Sequence, residues 1–257
     1  MRIIDVHSHC WLEPGLGDLA PARELLSEMD RFSVEKSLVL STETNDQILA
    51  ITALDPGRLY PVASIDPMHD IGHGLRFIEI NSSRIKAIKL YPGYGAFYPN
   101  DEICEPIYSY AERKGLPVLF HSGDFASPDG RLKYSLPVHL DDVSVQNPGL
   151  KIVICHMGNP WIMDAAEVAS KNENVFLDIS GLLGGSTKYV GRYIEWLRDQ
   201  ISRAIYYIGD ARKILFGSDR PANGIGDVIE FVKKLNIDEE DRELIYYRNA
   251  ERLFFSG

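Results

Sequence analysis

Two histidines separated by one residue, His7 and His9, stand at the end of the first apolar run of the chain, in MRIIDVHSHC. A run so rich in β-branched residues forms a strand, on which side chains two apart share a face. The two Cα atoms then lie roughly 6.5–7 Å apart. Two imidazoles at that spacing can lean onto one cation at about 2.0–2.1 Å each. Side chains of matching chemistry end later apolar runs: Lys89 in AIKL, His121 in VLFHSG, His156 in IVICHMGNP and Asp219 in LFGSDRP. Several imidazoles with one carboxylate suit zinc or a similar divalent ion.

Each of these residues has an ordinary explanation by itself. His-x-His at a strand end can satisfy backbone groups, and His121 can be a core histidine. Ser218-Asp219 before Pro221 is common helix-capping chemistry. Lys89 can extend its stem along a barrel mouth to reach water. Unrelated roles, however, give no reason for metal-compatible side chains to follow the first, fifth, sixth and eighth apolar runs together, whereas one shared site does.

The elements that must position them are legible. Apolar runs at 3–6, 37–40, 61–65, 87–90, 117–120, 151–155, 175–179 and 214–216 alternate with segments of helical spacing at 22–32, 74–81, 105–114, 161–171, 190–201 and 227–235. The runs are nearly continuous in apolar character, as expected of parallel strands covered on both faces. Lys114-Gly115-Leu116-Pro117 supplies the basic last turn, glycine stop and proline of a helix handing over to a strand. Eight such units predict a closed parallel barrel of the α/β class, in which the C-terminal ends of the strands converge on one rim. Neither G-x-G-x-x-G nor a phosphate-binding G-x-x-x-x-G-K-[ST] occurs, which disfavours a doubly wound nucleotide-binding sheet.

Bulk properties agree. The 257 residues are 45% hydrophobic and 25% charged, with no low-complexity linker or repeat, so one domain spanning 1–257 is expected. The formal net charge is −10 with no basic stripe, which argues against nucleic acid and for a small-molecule substrate. No apolar run is long enough for a membrane span or signal core. Cys10, Cys104 and Cys155 show no metal-binding or redox spacing, which fits a reducing compartment and hence the cytoplasm. Nothing in the pattern decides between a monomer and a homo-oligomer.

Other candidates are weaker. His69 and His73 lie in MHDIGHG, where two glycines make a helical metal pair unfavourable, and His139 reads as structural. Trp11, Tyr91, Phe97, Tyr98 and Trp161 follow strand ends and are expected to wall a pocket. Specificity is expected in the loops 92–100 and 124–137.

Assembled in order, DVHSH, AIKLYPGY, VLFHSG, NPGLKIVICHMGNPW, NVFLDISG, LFGSDRP and RNAERLF resemble the metal-dependent amidohydrolase superfamily. The likeness is to its amidohydrolase-related branch, which includes decarboxylases of the aminocarboxymuconate semialdehyde type. The resemblance implies a single-domain distorted (β/α)8 TIM barrel. It implies His7, His9, His121 and Asp219 as metal ligands, with His156 joining the metal or contacting substrate. It implies one divalent ion, Zn2+ or another such as Mn2+ or Fe2+. Lys89 stands where two-metal relatives carry a carboxylated lysine.

The activity expected on this basis is hydrolysis. Water bound to the ion, its pKa lowered from about 15.7 to about 7, attacks an amide, ester or lactone carbonyl. In this reading Asp219 relays the proton, His156 or the ion itself polarises the oxygen, and Lys89 and Arg220 orient an anionic group. Non-oxidative decarboxylation at the same metal site is the alternative. A metal-dependent nuclease barrel shares the His-x-His start but requires Glu where this chain has Lys89.

Overall fold

A computed structural model describes residues 1–11, 19–40, 44–184 and 188–256. Eight strands form one sheet in the order β1 to β8: β1 Ile3–His9, β2 Val34–Leu40, β3 Leu59–Ser64, β4 Ala87–Leu90, β5 Val118–Phe120, β6 Ile152–Ile154, β7 Val175–Asp178 and β8 Ile214–Leu215. Every neighbouring pair is parallel. Between β8 and β1 the ring is closed by backbone bonds from Val6 N to the Phe216 carbonyl (2.9 Å), from Asp219 N to the His7 carbonyl (2.7 Å) and from His9 N to the Arg220 carbonyl (2.7 Å). The predicted single-domain (β/α)8 barrel is the observed one.

Among the described residues, ten α-helices lie outside the sheet: α1 Ala20–Phe32, α2 Asn45–Thr52, α3 Ile71–Ile80, α4 Glu105–Lys114, α5 His139–Gln146, α6 Ile162–Lys171, α7 Val190–Ile208, α8 Ile225–Lys233, α9 Glu239–Glu243 and α10 Asn249–Phe254. Apolar side chains of the strands and of the helix faces form one continuous core, as a parallel sheet closed by crossover helices requires. Glycine ends α4 as expected: Gly115 adopts φ 66°, a left-handed cap that costs other residues a steric penalty. Helices α2 and α5 have eight residues each, too short to stand out by periodicity. Among the described residues, no helix is long and apolar enough to cross a membrane.

Strand β1 is three residues longer than the apolar run 3–6 and is buried throughout. Asp5, His7 and His9 therefore alternate onto one face, and this extension carries polar side chains into the barrel mouth. At the other end, the closing RNAERLF segment is pinned by Asn249. Its buried Nδ2 donates to the carbonyls of Ala211 and Ile214, both at 2.7 Å, and so ties α10 to the entry of β8. Asn249→Ala removes both of these bonds, leaving the Ala211 carbonyl with Ile214 N (3.0 Å) and the Ile214 carbonyl without its side-chain donor. It should lower stability by about 2–3 kcal/mol, read as a fall in the urea midpoint without a change in slope.

Candidate functional site

His7 and His9 present their rings into the mouth of the barrel with defined tautomers. His9 Nδ1 faces the Leu40 carbonyl at 3.2 Å, and because a carbonyl only accepts, this nitrogen carries the proton. His7 Nδ1 donates to Asp178 Oδ2 at 3.0 Å. Both Nε2 lone pairs are thereby left bare, and both face one carboxylate oxygen: Asp219 Oδ1 lies 3.3 Å from His9 Nε2 and 3.5 Å from His7 Nε2. Two lone pairs and an anionic oxygen repel one another unless positive charge lies between them, so the donor set fits a cation.

His156 and His121 border the same space. The His156 ring centroid is 4.9 Å from that of His7 and 5.2 Å from that of His121. His156 Nδ1 donates to the Ser180 carbonyl at 3.0 Å, which leaves its Nε2 free. His121 Nε2 is buried without a hydrogen-bond partner, a costly arrangement that a bound cation would relieve. Ligand-type atoms of His7, His9 and Asp219 form one cluster within coordinating reach of a common point; those of His7, His156 and Asp178 form another. His121 belongs to neither cluster among the described residues; it lines the same cavity, with its ring against that of His156.

The loops that carry these groups are tightly constrained. His156, Met157 and Asp219 adopt φ of 58°, 47° and 60°, conformations that side chains with a Cβ populate sparsely and that concentrate at functional sites. Gly181 allows the approach of the two loops. A Cβ there would lie 2.8 Å from both Asp219 Oδ2 and His156 Nδ1.

A cavity of about 1070 Å³ opens over the cluster, walled by Trp11, Tyr91, Tyr94, Phe97, Phe125 and Tyr193. Its size and apolar lining suit a small organic molecule. The expected specificity loops both contribute, through Tyr94 and Phe97 on one and Phe125 on the other.

A family model described as amidohydrolase matches residues 4–255. The chain belongs to the amidohydrolase family. A gamma-resorcylate decarboxylase from Polaromonas sp. strain JS666 is 30% identical over 127 residues, 42% of this chain and 35% of that protein, so the match spans about a third of that relative. An uncharacterized TIM-barrel protein from Bordetella bronchiseptica superposes with a TM-score of 0.76 at 22% identity, covering 98% of each chain. A dihydroxybenzoic acid decarboxylase from Polaromonas sp. JS666, solved with manganese and the inhibitor 2-nitroresorcinol, gives a TM-score of 0.72 at 18% identity over 98% of this chain and 96% of its own. These structural likenesses establish the barrel.

Within the site, protonation follows burial and partners. Burial, with the Lys89 charge, drives His7 down to about 4 and outweighs the pull of Asp178 and Asp219. His121 is held well below the ordinary imidazole range by burial and by the neighbouring His156 and Lys89. Both rings stay neutral and able to ligate. Burial works to raise Asp219, but the imidazoles of His9, His7 and His156 around it outweigh burial and hold the carboxyl below its usual range. Asp178 is likewise pushed up by burial and brought lower still by His7.

Two carboxylates essential to this geometry are not among the site residues read from the sequence. Asp178 Oδ1 accepts from His156 N (2.9 Å), Ser180 N (3.0 Å) and Ser180 Oγ while Oδ2 holds His7. Asp5 accepts from His7 N (3.1 Å), Ser218 N (2.9 Å) and Ser218 Oγ (2.6 Å), joining β1 to the loop of Asp219. Burial lifts its carboxyl to about 7 against those donors. The available signal was a charged residue inside an apolar strand, in IIDV and VFLD.

Several expectations need correction. Arg220 does not face the cavity: its guanidinium is held by Glu28 at 2.7 Å and Glu24 at 3.2 Å, anchoring α1. Lys89 lies within β4, fully buried, and its Nζ donates to Cys155 Sγ at 2.9 Å although it still lines the cavity floor. Tyr98 packs on Tyr134 and His139 instead of walling the pocket, and Trp161 is not part of the lining either. Asp219 caps no helix through its side chain. The histidines that the sequence reading set aside are not among these corrections: His69 is exposed and bonded to Asp66, and His139 Nε2 meets the Lys133 carbonyl.

Asp178→Asn removes the anion that fixes the His7 tautomer. Affinity for Mn2+, measured by equilibrium dialysis, should fall about 10–100-fold while the thermal transition remains cooperative. Gly181→Ala should lower Mn2+ affinity as well, by driving His156 and Asp219 apart.

Proposed function

We propose that this member of the amidohydrolase family is a metal-dependent enzyme that removes the carboxyl group of a small aromatic acid as CO2 without oxidation. The observation that carries the reading is the convergence of His7, His9 and Asp219 on one point beneath an aromatic-walled cavity with Lys89 in its floor. The gamma-resorcylate decarboxylase relative supports the same reaction class. His7, His9, His121 and Asp219 would hold one divalent cation, Zn2+, Mn2+ or Fe2+, with His156 at its edge or against the substrate. When bound, the cation supplies fixed positive charge that polarises a substrate oxygen.

The protein's own groups do the rest. The Lys89 ammonium draws an anionic substrate inward, and the aromatic walls strip water from its carboxylate. An anion so desolvated is destabilised relative to a transition state in which its charge spreads. The carbon–carboxyl bond breaks, its electron pair stays on the ring carbon, and that carbon takes up one proton, so the carboxylate and a proton become arene and CO2. Asp219 Oδ2, the oxygen not faced by His7 and His9, is the atom placed to hold and return that proton.

Hydrolysis of an ester or lactone is the second reading. The observation that favours it is the ionised state of Asp219, whose side chain keeps 19% of its surface exposed and can take a proton from attacking water. The two reactions differ in products. Decarboxylation of 2,6-dihydroxybenzoate should release CO2 and resorcinol one for one, without net acid formation. Acid production from lactones without CO2 would overturn the decarboxylase reading.

Dialysis against a chelator should abolish turnover, and Mn2+ or Zn2+ should restore it. His7→Ala and Asp219→Ala should each lose most bound metal by elemental analysis, whereas His156→Ala should retain more metal than activity. If all three variants keep both, the site assignment fails.

A further inference from the structure

His7, His9 and His156 are each oriented by an Nδ1 hydrogen bond, to Asp178, the Leu40 carbonyl and the Ser180 carbonyl respectively. His121 is fixed differently. The Phe125 ring lies against it, with centroids 4.8 Å apart and planes tilted by 45°, and Tyr94 meets both rings edge-on at 4.9 and 4.8 Å. The His121 ring also interacts with the backbone of Asp124, the residue next to Phe125.

Phe125 is itself seated by glycines from two loops. A Cβ on Gly93, after β4, would come within 2.3 Å of Phe125 Cζ, and a Cβ on Gly130 within 2.2 Å of Phe125 Cγ. The loops are joined beside it by Arg131 N donating to the Gly93 carbonyl at 3.0 Å. A ring enclosed so closely cannot change rotamer without moving backbone.

We propose that Phe125, socketed between Gly93 and Gly130, is the positioning residue of His121. It holds the imidazole by ring contact and, through the loop it anchors, by the backbone of Asp124. The inference rests on reading His121 as a site residue. It predicts that the fit of Phe125 in its socket, and not its polarity, sets the geometry of the fourth imidazole.

The test compares 15N-labelled, metal-free wild type with Phe125→Leu, Phe125→Tyr, Gly130→Ala and the Gly130→Ala/Phe125→Leu double variant. Long-range 1H–15N spectra report the imidazoles, and titration with Mn2+ alone reports affinity. Wild type should show one set of His121 ring signals, and Phe125→Tyr, whose added hydroxyl sits on the ring atom that Gly93 encloses, should disturb it as Phe125→Leu does. Phe125→Leu and Gly130→Ala should split or broaden that set, leave His7, His9 and His156 unchanged, and weaken Mn2+ binding about 10-fold or more. The Gly130→Ala/Phe125→Leu double variant should not recover the Gly130→Ala loss, because leucine keeps the Cβ, Cγ and Cδ1 on which the added methyl falls.

Unchanged His121 signals with Mn2+ affinity within about 2-fold in Phe125→Leu would overturn the inference. Equal perturbation of all four imidazoles would also overturn it, since that marks general loosening. If no form of the protein binds Mn2+, the metal reading fails while the His121 signals still decide the role of Phe125.

Discussion

A carboxylate taken out of water costs several kcal/mol unless donors replace its hydration, and Asp178 has four: the ring of His7, the backbone of His156, and the backbone and hydroxyl of Ser180. Those donors come from three separate loops or strands. Satisfying this one anion therefore fixes the His7 tautomer, the turn that presents His156 and the path of the chain after β7 together. Asp5 plays the same part on the opposite side, tying His7 to the Ser218-Asp219 loop. The candidate site is in effect a shell of imidazoles held by two buried acids.

That arrangement explains why the loop backbone is strained where it is. His156, Met157 and Asp219 adopt left-handed φ values, each unfavourable by about 1–3 kcal/mol. Such conformations persist only where surrounding contacts over-determine them. The hydrogen bonds to Asp178, together with the bond from Asp219 N to the His7 carbonyl, supply that constraint, and the closed barrel supplies a rigid base. Lys89 adds a positive charge in the floor that disfavours protonation of His7 and His121, keeping both imidazoles available as lone-pair donors.

Much of this was legible residue by residue. The eight strands and their parallel order follow from apolar runs alternating with helical segments, and the site candidates His7, His9, His121, His156, Lys89 and Asp219 all border the cavity they were expected to share. Arg220 was misread because the sequence places it next to Asp219. In the structure Glu24 and Glu28 on α1 capture the guanidinium and hold it away from the cavity. Asp5 and Asp178 escaped notice because an acid inside an apolar strand carries no spacing pattern. Their partners are distant in sequence, with His7 lying 171 residues from Asp178.

By itself the sequence determined the class of fold, the set of metal-compatible side chains and the rim on which they gather, because strand periodicity and strand ends are local properties of the chain. Only the tertiary structure decided which nitrogen of each histidine is bare, which acids orient them, that Arg220 turns outward and that two glycines seat Phe125 against His121. Those are outcomes of packing between segments remote in sequence. A hydrogen bond or a ring contact is set by distance and direction in space, and neither is encoded until the barrel has closed.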